Sequence, residues 1–397
     1  MSERIAVTGI GTISAIGNSV AENFEALQKS TSGIGKICYL ESVHSDKFPS
    51  GEIKLSNKFL AEKSAIPRDK LFTRAALLGF HAAKEALTQA DINLPNANLA
   101  FINGTSVGGM DFTEQHFQDF QEKAASIKFI EAQHPGFTTN TIADFLQIND
   151  LVSTVSTACS SGANAILTGA KLIQANKADY ALVGGTDCLS KFTLNGFNSL
   201  KILSERKCQA FDENRSGLNL GEAAAYLVLE SETQAKKSGK KILAYLSGFG
   251  NANDAHHQTA SSETGEGSFL AMKKAINSAE LSPKKIDYIN AHGTATLNND
   301  LSEGIAIERV FNEIPPVSST KAFTGHTLAA AGALEAVFSI LSLQHQVVFT
   351  NLNFQHKMKE LQFLPEQKFQ QRKIEHVLSN SFGFGGNCSS LVFSKNI

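Results

Sequence analysis

The chain has 397 residues, 42% of them hydrophobic, with 36 basic against 38 acidic side chains and a formal net charge of −2. That length supports a large core in two domains or one duplicated unit, and the near-balanced charge gives no global field for nucleic acid. The five cysteines (Cys38, Cys159, Cys188, Cys208 and Cys388) are scattered and form no C-x-x-C pair, which argues against a disulfide framework or zinc site and for a reducing, cytoplasmic setting.

In chain order, residues 5–8 read as a strand running into tight turns at Gly9, Gly11 and Gly17. A dinucleotide fingerprint would need glycine where Ser14 stands. Residues 21–28 predict a helix, 31–64 give no clear pattern, and 68–89 predict a long amphipathic helix started by Pro67. Residues 99–103 read as a strand, 111–135 as helical only in their first part, and 137–146 as a helix. The run Ser153-Thr-Val-Ser-Thr-Ala-Cys159 predicts a buried strand and an abrupt turn, followed by a helix over 160–175. Residues 179–184 and 225–230 are further strands, with a short helix over 193–201 and a polar loop from Phe211 between them.

A charged turn at 236–241 divides the chain into residues 1–240 and 241–397. The second part repeats the style of the first. It has strands at 242–248, 286–290, 317–319 and 389–393, and helices at 267–279, 301–311 and 328–343. The last of these helices is apolar but carries Glu335 and is short for a membrane span. Alternating strands and helices in both parts predict an α/β protein with an internal duplication.

Chemistry concentrates at strand ends. Cys159 at a helix start would have free N–H groups and a helix dipole to favour a thiolate or to hold an oxyanion. The alternative is a small cysteine buried at a crowded turn. His292, Lys321 and His326 follow strands in the second part, and both histidines stand beside glycine. Loops at such ends converge in one crevice.

The stretches Thr157-Ala-Cys159-Ser-Ser-Gly162, His292-Gly-Thr-Ala-Thr296, Ser319-Thr-Lys321-Ala-Phe-Thr-Gly325-His326 and Asn380-Ser-Phe382-Gly-Phe384-Gly-Gly386 resemble those of β-ketoacyl–acyl-carrier-protein synthases, in order and over nearly the whole chain. The resemblance implies the thiolase-like five-layer αβαβα fold built from two βαβαβαββ halves. It also implies a homodimer, or a heterodimer with a related subunit, and decarboxylative condensation of malonyl-carrier with an acyl chain held on Cys159. No cofactor is implied, because phosphopantetheine arrives on the carrier protein. His292 and His326 would hold the enolate, and Lys321 would orient them, with Glu335 in support. Cys159 and Phe384 would supply the oxyanion hole, Phe384 also being the gate. Thr294, Thr296, Phe382 and Gly385 would meet the substrate. Asn290 and Glu335 resemble positions that hold a monovalent cation. Asp300 and Glu303 read as acids favouring the start of the 301–311 helix. Arg68, Lys70, Arg74, Arg206 and Lys207 are candidates for docking an acidic carrier.

Several positions depart from the family pattern. Asn219 stands at an apolar position, Asn387-Cys388 replaces Thr-Asn, and Leu297-Asn-Asn replaces a stretch usually bearing Pro and Gly. These departures leave room for a specialised pathway, such as a polyene chain. A non-catalytic chain-length subunit of the same fold is the alternative of a different class, although such subunits lack the cysteine.

Overall fold

The computed structural model describes residues 3–67, 70–94 and 97–395. Its strands are β1 (Ile5–Ser14), β2 (Leu99–Gly104), β3 (Val152–Val155), β4 (Tyr180–Asp187), β5 (Ala223–Ser231), β6 (Ala244–Asn253), β7 (Tyr288–Asn290), β8 (Val317–Ser318), β9 (Val347–Val348), β10 (Gln370–Gln371), β11 (His376–Phe382) and β12 (Asn387–Ser394). All but the β9–β10 ribbon join one sheet in the order β3-β2-β4-β5-β1-β6-β12-β11-β7-β8. Read outward from the β1–β6 contact, each half places its first strand innermost, then its fifth, fourth, second and third. In each half three parallel strands are followed by two antiparallel ones. The halves join where residues 5–7 pair with 244–246.

Side-chain alternation builds the layers. On β5, Ala223, Ala225, Leu227 and Leu229 face a central core, whereas Ala224, Tyr226 and Val228 face an outer one against the helix Arg74–Ala90. On β11 and β12, Val377, Leu391 and Phe393 face the centre, and Leu378 and Val392 face the outer helices Glu266–Ser278 and Leu297–Val310. The central layer is the pair of helices Ser161–Gln174 and Ala331–His345. They cross closely. A Cβ on Gly162 would lie 2.8 Å from the Ala329 carbonyl oxygen, and one on Gly332 would lie 2.9 Å from the backbone N and Cβ of Ala163. The segment Leu328–His345 is long and apolar enough to span a membrane by composition, yet 89% of it is buried inside this protein.

Several elements differ from the sequence expectation. β1 continues through Gly9 and Gly11 instead of turning, because those glycines let the backbone of the helix Arg74–Ala90 approach at Ala86 and Ala82. That helix starts at Arg74, capped by the Thr73 hydroxyl, and not at Arg68, which lies outside the described residues. The helix expected at 301 begins at Leu297. β3 is a half-exposed edge strand and not a buried one, since β2 pairs with one side of it and no strand among the described residues pairs with the other.

Candidate active site

The turn that delivers Cys159 passes through Ala158 at φ 52°, a left-handed conformation that costs an alanine strain and must be held by its neighbours. The hold is visible. The Ser161 hydroxyl donates to the Ala158 carbonyl at 2.6 Å and accepts from the Thr157 N–H at 2.9 Å. Ser106 Oγ donates to the same carbonyl at 3.1 Å. Cys159 is 6% exposed, and the N–H groups of Phe384 and of Cys159 itself lie against its sulfur. Burial pushes the thiol up to about 11, against the pull of Lys321 and those two N–H groups. The helix start therefore does not produce a resting thiolate, because the cost of charging a buried sulfur outweighs it.

Sγ of Cys159 and a ring nitrogen from each of His292 and His326 all lie within 4.8 Å of one another. The two rings stand at 88° with centroids 5.4 Å apart. His292 Nδ1 lies 3.2 Å from Lys321 Nζ, and the Lys321 ammonium pairs with Glu335 on its other side. His326 Nδ1 accepts the backbone N–H of Leu328 at 3.2 Å. With Nδ1 accepting in both rings, the proton of each neutral imidazole sits on Nε2. Burial holds both histidines well below the usual range, with Lys321 adding to the effect, so neither is an imidazolium near neutral pH.

Glu303 and Asp300 shape the loop that carries His292. Glu303 accepts the N–H groups of His292 and Gly293 at 2.9 and 2.8 Å, and Asn380 Nδ2 at 3.1 Å. Asp300 accepts those of Ala295 and Phe211 at 3.1 and 2.7 Å. Both acids are loop clamps and not simply partners of a helix start. Asp187, buried at the end of β4, accepts Thr105 Oγ1 at 2.6 Å and the Ala329 N–H at 2.9 Å, together with the N–H groups of Ser106 and Val107. It ties the segment beyond β2 to the turn after His326. Its place after Gly184-Gly185-Thr186 at a strand end was the signal that sequence reading passed over.

The groups converge on a cavity of about 220 Å³, whose wall includes Cys159, His292, Thr294, Thr296, His326 and Phe384. Phe382 and Gly385 also line it. Thr294 and Thr296 share a hydroxyl contact of 2.8 Å. Phe384 stacks on Phe197 at 5.8 Å between centroids, and Gly385 and Gly386 beyond it adopt φ of 82° and 81°. One rim is the 254–262 loop, which sequence analysis did not single out. It is fastened by the Gly385 N–H to the Gln258 carbonyl at 2.7 Å. Asn298 also clasps it, through both the N–H and the C=O of Ser261.

The departure at Asn298 thus has a contact of its own, and so does Asn219. Asn219 Oδ1 accepts the Cys208 N–H at 2.7 Å, and its Nδ2 reaches the Ser204 and Arg206 carbonyls. Among the carrier-docking candidates, Arg74 is withdrawn. It is buried in a pair with Glu222 at 2.6 Å, while Lys70, Arg206 and Lys207 are exposed. Among the described residues Asn290 Oδ1 and Glu335 Oε2 are buried without a hydrogen-bond partner, and Asn290 Nδ2 donates to the Glu335 carbonyl at 3.3 Å. A carboxamide oxygen and a carboxylate oxygen left without donors fit the donor chemistry of a monovalent cation.

Sequence comparison matches residues 2–235 to the N-terminal domain of β-ketoacyl synthases and residues 243–355 to their C-terminal domain. The chain belongs to the β-ketoacyl synthase family. It is 35% identical to 3-oxoacyl-[acyl-carrier-protein] synthase 2 of Staphylococcus aureus (strain COL), with 99% of each chain covered. Among solved structures it is similar to a β-ketoacyl synthase from Burkholderia phymatum STM815, at TM-score 0.89 and 29% identity over 99% of each chain. It is also similar to a ketosynthase (ApeO) in complex with its chain length factor (ApeC) from Xenorhabdus doucetiae, at TM-score 0.85 and 32% identity, covering 99% of this chain and 98% of that one. Those neighbours share the thiolase-like fold, and the two-half layered architecture of this β-ketoacyl synthase is the same.

Proposed function

We propose that this β-ketoacyl synthase is an active elongating enzyme, condensing malonyl-carrier protein with an acyl chain on Cys159 to give a 3-oxoacyl-carrier product in fatty-acid or related polyketide synthesis. The observation that carries the reading is the convergence of the Cys159 sulfur with two neutral Nε2–H imidazoles in one cavity.

In the first step Cys159 Sγ bonds to the thioester carbon and the carbonyl pair moves onto oxygen, held by the Cys159 and Phe384 N–H groups. Collapse expels the pantetheine sulfur, which carries away the thiol proton. In the second step the malonyl C–CO2 bond breaks, CO2 leaves, and the electron pair becomes an enolate whose oxygen accepts both Nε2–H groups. The enolate carbon then attacks the acyl carbon. The tetrahedral oxyanion returns to the same hole, and its collapse releases Cys159, which takes up a proton. Lys321 fixes the His292 ring and is held in place by Glu335. Thr294 and Thr296 bind the pantetheine arm, Phe382 and Gly385 line its path, and Phe384 swings on its glycines to admit the second substrate. Asn290 and Glu335 would hold a monovalent cation, which would supply countercharge to the buried carboxylate.

The partners are an acyl carrier protein and a second thiolase-fold subunit. The open edge of β3 suits pairing with another strand, either in a homodimer or with a chain-length subunit such as the one in the ApeO complex. Its working compartment is read as the reducing cytoplasm, in keeping with its free cysteines. The test is incubation of the purified protein with acyl- and malonyl-carrier proteins. The 3-oxoacyl product is expected from the wild type and not from Cys159→Ala. Absence of condensation and of CO2 release from the wild type, with or without a co-expressed partner subunit, would refute the reading.

A further inference from the structure

The two N–H groups facing Cys159 come from different halves of the chain, one from the 157–161 turn and one from the 383–386 loop. Something must hold their spacing, because an oxyanion donor works only when it is already in place. Asn387 touches both sides. Its main-chain carbonyl accepts the Gly383 N–H at 2.8 Å, one residue before Phe384. Its side-chain Oδ1 accepts Asn164 Nδ2 at 2.8 Å, from the first turn of the helix behind Cys159. The Ser160 hydroxyl, one residue after Cys159, lies 2.8 Å from the same Oδ1, sharing its proton between that oxygen and the Thr157 carbonyl.

A third donor, Asn251 Nδ2 on β6, reaches Asn387 Oδ1 at 3.0 Å and braces the group from the second half. Asn164 is itself fixed, since its Nδ2 also donates to Thr157 Oγ1 at 2.9 Å and its Oδ1 accepts Ser389 Oγ at 2.7 Å. One carboxamide oxygen thus collects donors from the nucleophile turn and from the inter-half sheet, while the same residue's backbone holds the gate loop.

We infer that Asn387, which stands where the family pattern has threonine, is a positioning residue that sets the separation of the two oxyanion-hole donors, without itself touching the substrate. The inference rests on the reading of the hole given above. A threonine hydroxyl accepts as many hydrogen bonds as a carboxamide oxygen but must also place its own proton, and the shorter side chain does not extend as far. In this chain the hole is held by a longer reach to Asn164 and Asn251.

The experiment compares two reactions of Cys159 on the purified enzyme. Acyl transfer from octanoyl-carrier protein needs the oxyanion hole. Alkylation by iodoacetamide needs only the sulfur. Asn387→Leu, which keeps the γ-branched shape but removes the acceptor, is expected to slow acyl transfer about 10²-fold, the scale of losing one oxyanion donor, and to change alkylation by less than about threefold. Asn387→Asp keeps an acceptor for all three donors and is expected to transfer acyl groups at least about tenfold faster than the leucine variant. Asn387→Ser, too short to reach Asn164, should show the same split and serves if the leucine variant does not fold. Parallel loss of both reactions overturns the inference, and so does a leucine or serine variant within threefold of wild type in acyl transfer or an aspartate variant no better than leucine. A wild type that accepts no acyl group would instead defeat the proposed function.

Discussion

The Lys321 ammonium lies 3.2 Å from His292 Nδ1, and that contact decides which nitrogen of the ring can serve the substrate. Together with the Leu328 N–H on His326 Nδ1, it leaves two Nε2–H donors pointing at one place. His326→Ala should therefore reduce CO2 release from malonyl-carrier by about 10²–10³-fold, the scale of losing one donor to a developing oxyanion. Acylation of Cys159, followed by intact mass, should fall by less than about tenfold. Loss of acylation with CO2 release unchanged would contradict the assignment.

Because burial pushes the Cys159 thiol up to about 11, its alkylation rate should climb about tenfold per pH unit through neutrality with no plateau below that value. Lys321 lowers this value, so Lys321→Met should move the profile to higher pH. A plateau near pH 7 in the wild type would show that the sulfur is charged at rest.

The buried neutral histidines set a sign for stability against pH. Their folded values lie well below the unfolded value of about 6.5. As pH falls below that, the unfolded chain takes up protons that the folded chain refuses, and stability is lost. The unfolding free energy of wild type should therefore decline relative to His326→Gln by up to about 1.4 kcal/mol per pH unit below 6.5. Urea midpoints for the two proteins at pH 7.5 and 5.5 measure this. A difference that stays constant would mean that His326 titrates normally.

Arg74 donates to both oxygens of Glu222, at 2.8 and 2.6 Å, beside the N–H groups of Ile53 and Leu189. Arg74→Met strands a buried carboxylate and should cost about 3–5 kcal/mol, read as a lower denaturation midpoint. Arg74→Met with Glu222→Gln should recover a large part of that loss. If the double variant is as unstable as the single one, the pair is not the source.

The parts of the molecule legible in the sequence are those governed by short-range pattern. The β-branched run before Cys159 and the strand-then-glycine arrangement at His292 and His326 mark the three side chains that the fold brings within 4.8 Å of one another. Alternation in both halves gives the α/β class and the internal duplication, and the layered thiolase-like arrangement is what the family resemblance implies. What was not legible depends on distance across the chain. Nothing local marks β3 as an edge strand or Arg74 as buried, since each follows from what packs against it. Asp187, Asn387 and the 254–262 loop act through partners far away in sequence, so a strand-end place marks the first and a departure from the family pattern the second, but neither says what the residue holds. The thiol of Cys159 shows the same limit. A helix start favours the anion, but how deeply the sulfur is buried decides the balance, and burial is a property of the finished fold.

Gly162 and Gly332 belong to equivalent helices, one following the third strand of each half, and their contact leaves no room for a methyl group. Cys159 precedes one of these helices, in the first half, and both imidazoles come from the second half. Neither half is a catalyst alone. The reaction belongs to the seam between two internal copies, and the crossing, where each glycine packs on an alanine of the other helix, acts as a fixed gauge for the gap between sulfur and imidazole. A single added carbon there, remote from any substrate atom, would widen the gap in which the chemistry takes place.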